Sequence, residues 1–447
     1  MTHHATLPMP GPAQWGAEEP PPVNRRRDGG HGGLLPRLMP AHPGPVDLTE
    51  HVERFGAPPY RGAPRRLIGD VEAAGLTGRG GAAFPTYRKL AAMAAGRGPA
   101  PVVIGNGAEG EPASSKDKAL LWFSPHLVLD GLQLAAEAVG SATVGLYIHR
   151  NPRLQERLEV AIAQRAAAGL DAAPVELTEA PHRFLAGEES ALASRVSGGP
   201  ALPRFKPPRA SQRGVAGRRT LVQNVETLAH LALIARYGPG WFRSAGTPDE
   251  PGSMLATLHQ ADGRTGVVET TLGTPVADLL RLPAQAVLVG GYHGAWLPGA
   301  QAELLPLANA ALRPLGAAVG AGVLAALPAD RCGLAETARV VRYLALESAG
   351  QCGPCFNGLP RMAGALAELA GPWPRPQAQA DLERWSGLVA GRGACHHPDG
   401  TVRLVRSALQ VFAAEIDQHA HGHCTGTSGR PFLPLPAEPP LDDTDWR

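Results

Sequence analysis

Val102-Val103-Ile104-Gly105-Asn106-Gly107-Ala108-Glu109-Gly110-Glu111-Pro112 is the stretch on which the fold of this chain turns. A β-branched run enters a loop of glycines and acids, and a helical apolar period follows over 126–139. β-branched side chains favour strands, glycine and proline end them, and the later period of 3.6 marks a helix. The alternation continues with a strand at 143–148, a helix over 154–168 and a strand at 174–177. The expected class is α/β with a mostly parallel sheet. Asn106, Glu109 and Glu111 then fall at the carboxyl end of the first strand, the edge where open sheets bind ligands.

Outward from this unit, apolar residues at helical spacing predict short helices over 47–55 and 64–74, and a helix over 221–237 entered through Gln223, Asn224 and Glu226. Short strands with turn signals at Asp262-Gly263, Gly290-Gly291 and Pro298-Gly299 return between 253 and 327, predicting a small second α+β unit. Only helical periods remain over 336–418, so a helical bundle should close the chain. Residues 1–45, rich in Pro, Gly and His, read as a disordered arm, and 421–447 as a Pro-rich tail.

Composition bounds the function. The 447 residues carry a net charge of +2, which argues against a nucleic-acid partner held by bulk charge. The longest nearly uncharged stretch, 314–328, falls short of the roughly 18 to 20 residues that span a bilayer. Five cysteines, an odd number, and no charged-then-apolar leader point to a reducing cytoplasm. Of 42 basic residues only Lys89, Lys116, Lys118 and Lys206 are lysines, and all four flank the motifs described next. A lysine is a compact point charge suited to a phosphate or an anionic ring.

Gly78-Arg79-Gly80-Gly81 with Phe84 and Thr86 follows a predicted helix, not a strand, which sets it apart from the dinucleotide fingerprint. Its close N–H groups suit a phosphate or a flat ring, although a plain glycine turn reads the same way. Gly187-Glu188-Glu189 adds a second acidic pair; helix N-terminal acids or solvated charge are the ordinary alternatives. Cys352-Gly-Pro-Cys355 precedes a helical period, with Cys395 some forty residues on. Thiolates so placed are metal ligands, for an iron–sulfur cluster or for zinc. Cys424, or His396-His397, are candidates to complete the set, whereas Cys332 reads as a buried small residue.

Taken in order, 78–86, 106–112 with Lys116-Asp117, 187–192, 203–208, 224–227 and 347–355 resemble the flavin- and NADH-binding subunit of respiratory complex I, a family that includes the diaphorase subunits of NAD-linked hydrogenases and formate dehydrogenases. The resemblance covers about 47–420. It implies an FMN-binding α/β domain at 46–250, a small ubiquitin-like (SLBB-type) α+β domain at 251–330 and a helical iron–sulfur domain at 331–420. By position, Gly78, Arg79, Gly80, Gly81, Lys89, Asn106, Glu109, Gly187, Glu188, Asn224 and Thr227 are implied to hold or frame FMN, with Lys206 at the far end of the pocket. Phe84, Glu111 and Glu189 are implied to face NAD(P)H, and Cys352, Cys355 and Cys395 to bind a cluster. The flavin would take hydride and pass electrons through that cluster to a ferredoxin-like or membrane-associated redox partner, in the cytoplasm or on the inner face of the membrane.

The sequence also departs from the family pattern. Ala349 replaces the first cysteine, leaving a [3Fe–4S] cluster, a [4Fe–4S] cluster with another ligand, or completion by Cys424 or a histidine open. Ala92, Ala108, Phe184, Arg209 and Gln223 stand where the family has other side chains. Arg209 suits adenine stacking or a 2′-phosphate, hence NADPH. The alternative function is an electron-transfer or assembly protein whose nicotinamide site no longer works.

Overall fold

The structure, a computed structural model, describes residues 35–436 and 446, apart from positions 43, 63, 206, 207, 425 and 428. Three helices open it: α1 (Leu48–Phe55), α2 (Pro64–Ala74) and α3 (Thr86–Ala95). The α/β unit follows as β1 (Val102–Gly107), α4 (Lys116–Phe123), α5 (Pro125–Val139), β2 (Thr143–His149), α6 (Pro152–Ala167), β3 (Val175–Ala180), α7 (Glu189–Val196), β4 (Thr220–Asn224) and α8 (Val225–Arg243). The strands order as β3-β2-β1-β4 and every pairing is parallel.

Alternate strand residues feed two cores, as the period of two requires. Val103, Leu146, Ile148 and Leu221 pack with residues of α2, α5 and α8, while Val102, Ile104, Tyr147 and Val222 pack with Leu192 and Ala193 of α7. One expectation is corrected. The start of the predicted helix over 221–237 is the strand β4, and α8 begins only at Val225. A short apolar run does not distinguish strand from buried helix, and pairing with β1 decides it.

A buried charge network ties the helices together. Asp130 of α5, fully buried, meets His51 at 2.7 Å, Arg165 at 2.8 Å and Arg236 at 2.5 Å. Burial alone would raise its pKa, but the His51 hydrogen bond and the two guanidinium charges outweigh it and hold the carboxyl below its usual range.

The second unit comprises β5 (Ser253–His259), β6 (Thr265–Thr271), α9 (Val276–Leu279), β7 (Ala286–Val289), β8 (Ala295–Pro298), α10 (Gly299–Glu303), α11 (Asn309–Leu312) and β9 (Val323–Leu327). Its mixed sheet orders as β6-β5-β9-β7-β8, with β5 and β9 parallel. One face closes over its own helices, and the other, through Leu288, Trp296 and Ala325, joins the core of the bundle. That bundle is α12 (Gly333–Leu346), α13 (Leu359–Leu369), α14 (Ala378–Val389), α15 (His397–Val411) and α16 (Ala413–Ala420).

Both chain ends depart from their compositional reading. The expected disordered arm is packed where it is described: Leu38 and Met39 enter the main core, and the Arg37 and Leu38 N–H groups donate to Glu269. Residues 1–34 lie outside the described residues. In the tail, Phe432 and Leu433 are buried with their N–H groups on Glu336, and Trp446 lies under the Arg183 guanidinium. A few apolar residues find partners in distant elements, which local composition does not reveal.

Candidate functional site

The carboxyl edge of the parallel sheet carries the site. Register pairs Asn106 of β1 with Asn224 of β4, so two amides emerge side by side. Asn106 donates to the Gly187 carbonyl at 2.9 Å, and Asn224 caps α8 by accepting from the Glu226 N–H at 3.0 Å. The glycine loop arrives beside them: the Arg79 N–H donates to Thr227 Oγ1 at 2.9 Å, and a Cβ on Gly80 would stand 3.3 Å from Asn224 Cβ. Gly81 has φ +102°, a conformation L side chains rarely adopt. The loop runs straight into α3, whose Lys89 pairs with Glu189 at the start of α7. Glu188 caps α7, accepting from the Ser190 N–H at 2.8 Å. Loop, Asn224, Asn106, Gly187, Glu189 and Lys89 thus form a closed ring of contacts.

Several expected residues sit elsewhere. Glu111 does not join this ring; its carboxyl is buried, accepting from the N–H groups of Tyr292 at 2.7 Å and Ala113 at 3.2 Å. Burial raises its pKa to about 8 against these two N–H donors, and the bond to Tyr292 links the α/β unit to the second unit. The Arg79 guanidinium likewise turns away, to the Ser253 carbonyl at 3.2 Å. Glu109 faces the start of α4 and accepts from Ser114 and, at 3.3 Å, from the Asp117 N–H; burial and Asp117 raise its pKa. Lys116, read as a charge for a ligand, is buried between Asp117 at 2.6 Å and Glu226 at 2.9 Å, so it is an internal counterion. Lys206 lies outside the described residues.

The pocket residues fit a flavin nucleotide. Gln223 Nε2, next to Asn224 in sequence on β4, and Thr86 Oγ1, where the glycine loop becomes α3, are buried with no hydrogen-bond partner in the protein. Buried polar groups normally find partners, and a bound ligand with acceptors would supply them. Side-chain-free glycines bring main-chain N–H groups to the same place. Phe84 is 41 % exposed, an open aromatic face at the mouth of the loop.

The bundle gathers the sulfur ligands. Cys352 and Cys355 lead into α13, and Cys395 precedes α15. Burial, then the neighbouring Cys352 and Cys395, push the Cys355 thiol up, while a hydrogen bond with Ser348 opposes the shift. The Cys355 thiol therefore has the Cys352 and Cys395 thiols and the Ser348 hydroxyl as neighbours, with the three sulfurs not all within 4.8 Å of one another, a donor set that fits a multi-iron cluster. Ser348 carries no motif of its own; its adjacency to the cysteine gap at Ala349 was the available signal in the sequence.

Two of the candidates for the open ligand position are engaged elsewhere. His397 has both ring nitrogens engaged, with His293 at 3.0 Å and the Leu344 carbonyl at 2.8 Å. Cys424 stands instead with Cys332 and His419.

Pocket and cysteine loop meet at Phe184. Its N–H donates to Glu347, at the head of the cysteine loop, at 2.7 Å, and Arg183 pairs with the same carboxylate at 3.2 Å. On the pocket side a Cβ on Gly110 would overlap the Phe184 carbonyl at 2.1 Å, so only glycine allows this approach. The Phe184 ring packs on His293 and His397 with centroids 4.7 and 5.5 Å away.

Comparison with known proteins finds matches over both the pocket and the cysteine regions. The family described as the Nuo51 FMN-binding domain matches residues 71–233, and the NADH-ubiquinone oxidoreductase-F iron-sulfur binding region matches 335–419. The F subunit of the NADH-quinone oxidoreductase of Streptomyces coelicolor is 29% identical over 406 residues, covering 86% of this chain and 88% of the relative. The F 2 subunit of the Rhizobium meliloti enzyme is 28% identical over 375 residues, covering 80% and 89%. Among solved structures, the H2-reduced NAD+-reducing [NiFe]-hydrogenase matches with a TM-score of 0.74 at 29% identity, over 80% of this chain and 63% of that one.

Proposed function

We propose, on the premise that this chain belongs to the family of NADH-quinone oxidoreductase F subunits, that it is an NADH dehydrogenase-type oxidoreductase using FMN and an iron–sulfur cluster. The observation that carries the reading is the junction at Phe184, whose carbonyl packs closely against Gly110 beyond β1 and whose N–H donates to the glutamate heading the cysteine loop. Bound FMN supplies hydride acceptance from NADH and release of single electrons to the cluster.

The residues around these groups do the positioning. Gly80 and Gly81 offer N–H groups and close approach, while the Gly78 N–H closes the loop on the Phe84 carbonyl at 2.9 Å; Lys89, Asn106, Glu188, Asn224 and Thr227 frame the flavin, and the Gln223 amide gains the acceptor it lacks. Phe84 gives adenine a stacking face, and Glu189, beside Lys89, accepts from nucleotide hydroxyl or carboxamide groups. Cys352, Cys355 and Cys395 hold the cluster, with the Ser348 hydroxyl beside them. Matches across both cofactor regions do not favour the alternative of a defunct nicotinamide site.

The relatives' names place them in multisubunit enzymes, which supports a separate redox protein, ferredoxin-like or membrane-associated, as the acceptor. Among the described residues no helix is long and apolar enough to cross a membrane, so attachment at the inner face of a membrane would come through such partners. The test is anaerobic titration of FMN-loaded protein with NADH, followed by absorbance and EPR. Flavin bleaching with appearance of a reduced-cluster signal is expected; a flavin that stays oxidised at excess NADH would sink the reading.

A further inference from the structure

The two cysteines that the cluster does not use are brought together by the fold. Cys332 caps the start of α12, His419 lies in the last turn of α16, and Cys424 follows α16. Their ligand atoms all lie within 4.8 Å of one another, and this is the one such group of metal-binding side chains among the described residues. The Cys332 and His419 side chains are buried, while Cys424 is exposed at the surface. We propose that Cys332, His419 and Cys424 form a second metal site, separate from the cluster, that takes one zinc ion or a similar borderline-soft divalent cation.

The geometry suits a tetrahedral ion. Cys332 Sγ and His419 Nε2 are 3.5 Å apart. Zinc bonds of about 2.3 Å to sulfur and about 2.05 Å to nitrogen, at a tetrahedral angle, separate two ligands by about 3.6 Å. His419 Nδ1 faces the Leu369 carbonyl at 3.3 Å, so this nitrogen carries the proton and the Nε2 lone pair is directed at the sulfur. This arrangement of an imidazole fixed by an outer carbonyl is how metal-bound histidines are generally held. The Ala335 N–H donates to Cys332 Sγ at 3.3 Å and opposes the burial and the Glu415 carboxylate that push this thiol up in the metal-free protein. Glu415 Oε2 accepts from Cys332 Sγ at 3.2 Å and from the Leu334 N–H at 3.3 Å and lies outside the set of ligand atoms within 4.8 Å, which leaves water as the fourth ligand.

Three separate elements contribute, so an ion here would pin the chain leaving the bundle to its first helix. The segment already lies close: the Thr427 N–H donates to the Asp330 carbonyl at 3.1 Å, and a Cβ on Gly426 would meet the Cys332 backbone at 2.8 Å. Binding releases the thiol protons to solvent, leaves every sulfur in its reduced state, and needs no oxidant. The site does not depend on the flavin and cluster assignment, because its ligands are distinct from Cys352, Cys355 and Cys395.

Elemental analysis of the untagged full-length chain, purified anaerobically without chelator, tests the site. About one zinc per chain is expected in addition to iron, by the stoichiometry of a closed zinc site. Cys424→Ser, at an exposed position that the fold does not need, should reduce zinc at least fivefold while iron and FMN per chain stay unchanged. Cobalt(II) exchanged into the native protein should show thiolate-to-metal charge-transfer absorption that Cys424→Ser abolishes. Wild-type protein without zinc and unable to take up cobalt would overturn the proposal, as would Cys424→Ser protein that keeps its zinc. Loss of iron instead of zinc in that variant would assign Cys424 to the cluster, and a Cys332–Cys424 disulfide in the anaerobic protein would replace the metal site with a redox pair; either result refutes it.

Discussion

Cys352 and Cys355 stand at the entry to α13, with Cys395 reaching them from the loop before α15, whereas Cys332, His419 and Cys424 close the other end of the same bundle. The first group has three thiols and a neighbouring serine hydroxyl, and it is joined to the flavin pocket through Glu347 and Phe184. The second has an imidazole oriented by a carbonyl, ligand atoms within 4.8 Å, and contacts to the chain end. One set of donors is placed to pass electrons and the other to fasten a terminus. On these two assignments, sulfur in this bundle serves two purposes, set by what surrounds it.

Cys355→Ser should separate the two groups most sharply. Iron and acid-labile sulfide should fall close to background, with zinc and bound FMN unchanged; simultaneous loss of zinc would mean a single shared site. Next in size, Glu347→Ala removes the carboxylate beside the buried Arg183 guanidinium and the acceptor for the Phe184 N–H. By the behaviour of broken buried pairs it should lower stability by about 3 kcal/mol, read from urea unfolding. Unchanged stability would show that the pocket and the cysteine loop are not tied at this junction.

Acid should distinguish the α/β unit from the zinc-fastened terminus. The depressed Asp130 carboxyl contributes stability that is present above the usual aspartate pKa of about 3.9 and is lost as pH falls through its lower folded value. Thiolate ligands take up protons at higher pH, so metal should leave first. A zinc-sensitive dye and near-UV circular dichroism, followed together during acidification, would show metal release before loss of packing; the reverse order would contradict the comparison. The smallest effect is expected for Phe84→Ala, which removes the exposed stacking face. The KM for NADH should rise by up to about tenfold, from roughly 0.5 to 1.5 kcal/mol of stacking, with kcat preserved.

Much of the flavin side is local in sequence. The glycines of 78–81, the strand carrying Asn106 near its end, the Gly187-Glu188-Glu189 cap and the Asn224 cap each combine a backbone requirement with a neighbouring functional group, so they leave a short pattern. Cys352-Gly-Pro-Cys355 is legible for the same reason. Gln223 shows in the sequence as an entry to the predicted 221–237 helix and as a departure from the family pattern, and its burial without a partner emerges from packing.

Local sequence is enough for the alternation of strands and helices, the close-set glycines and the spacing of the first cysteine pair, because each depends on neighbours a few residues away. The assembled layers are what carry Glu111 from the nucleotide side to the second unit, make Lys116 an internal counterion, and bring Cys332 to His419 and Cys424. Those outcomes rest on burial and charge pairing between residues about ninety to nearly two hundred positions apart, where hydrogen-bond partners and desolvation are set by packing between elements.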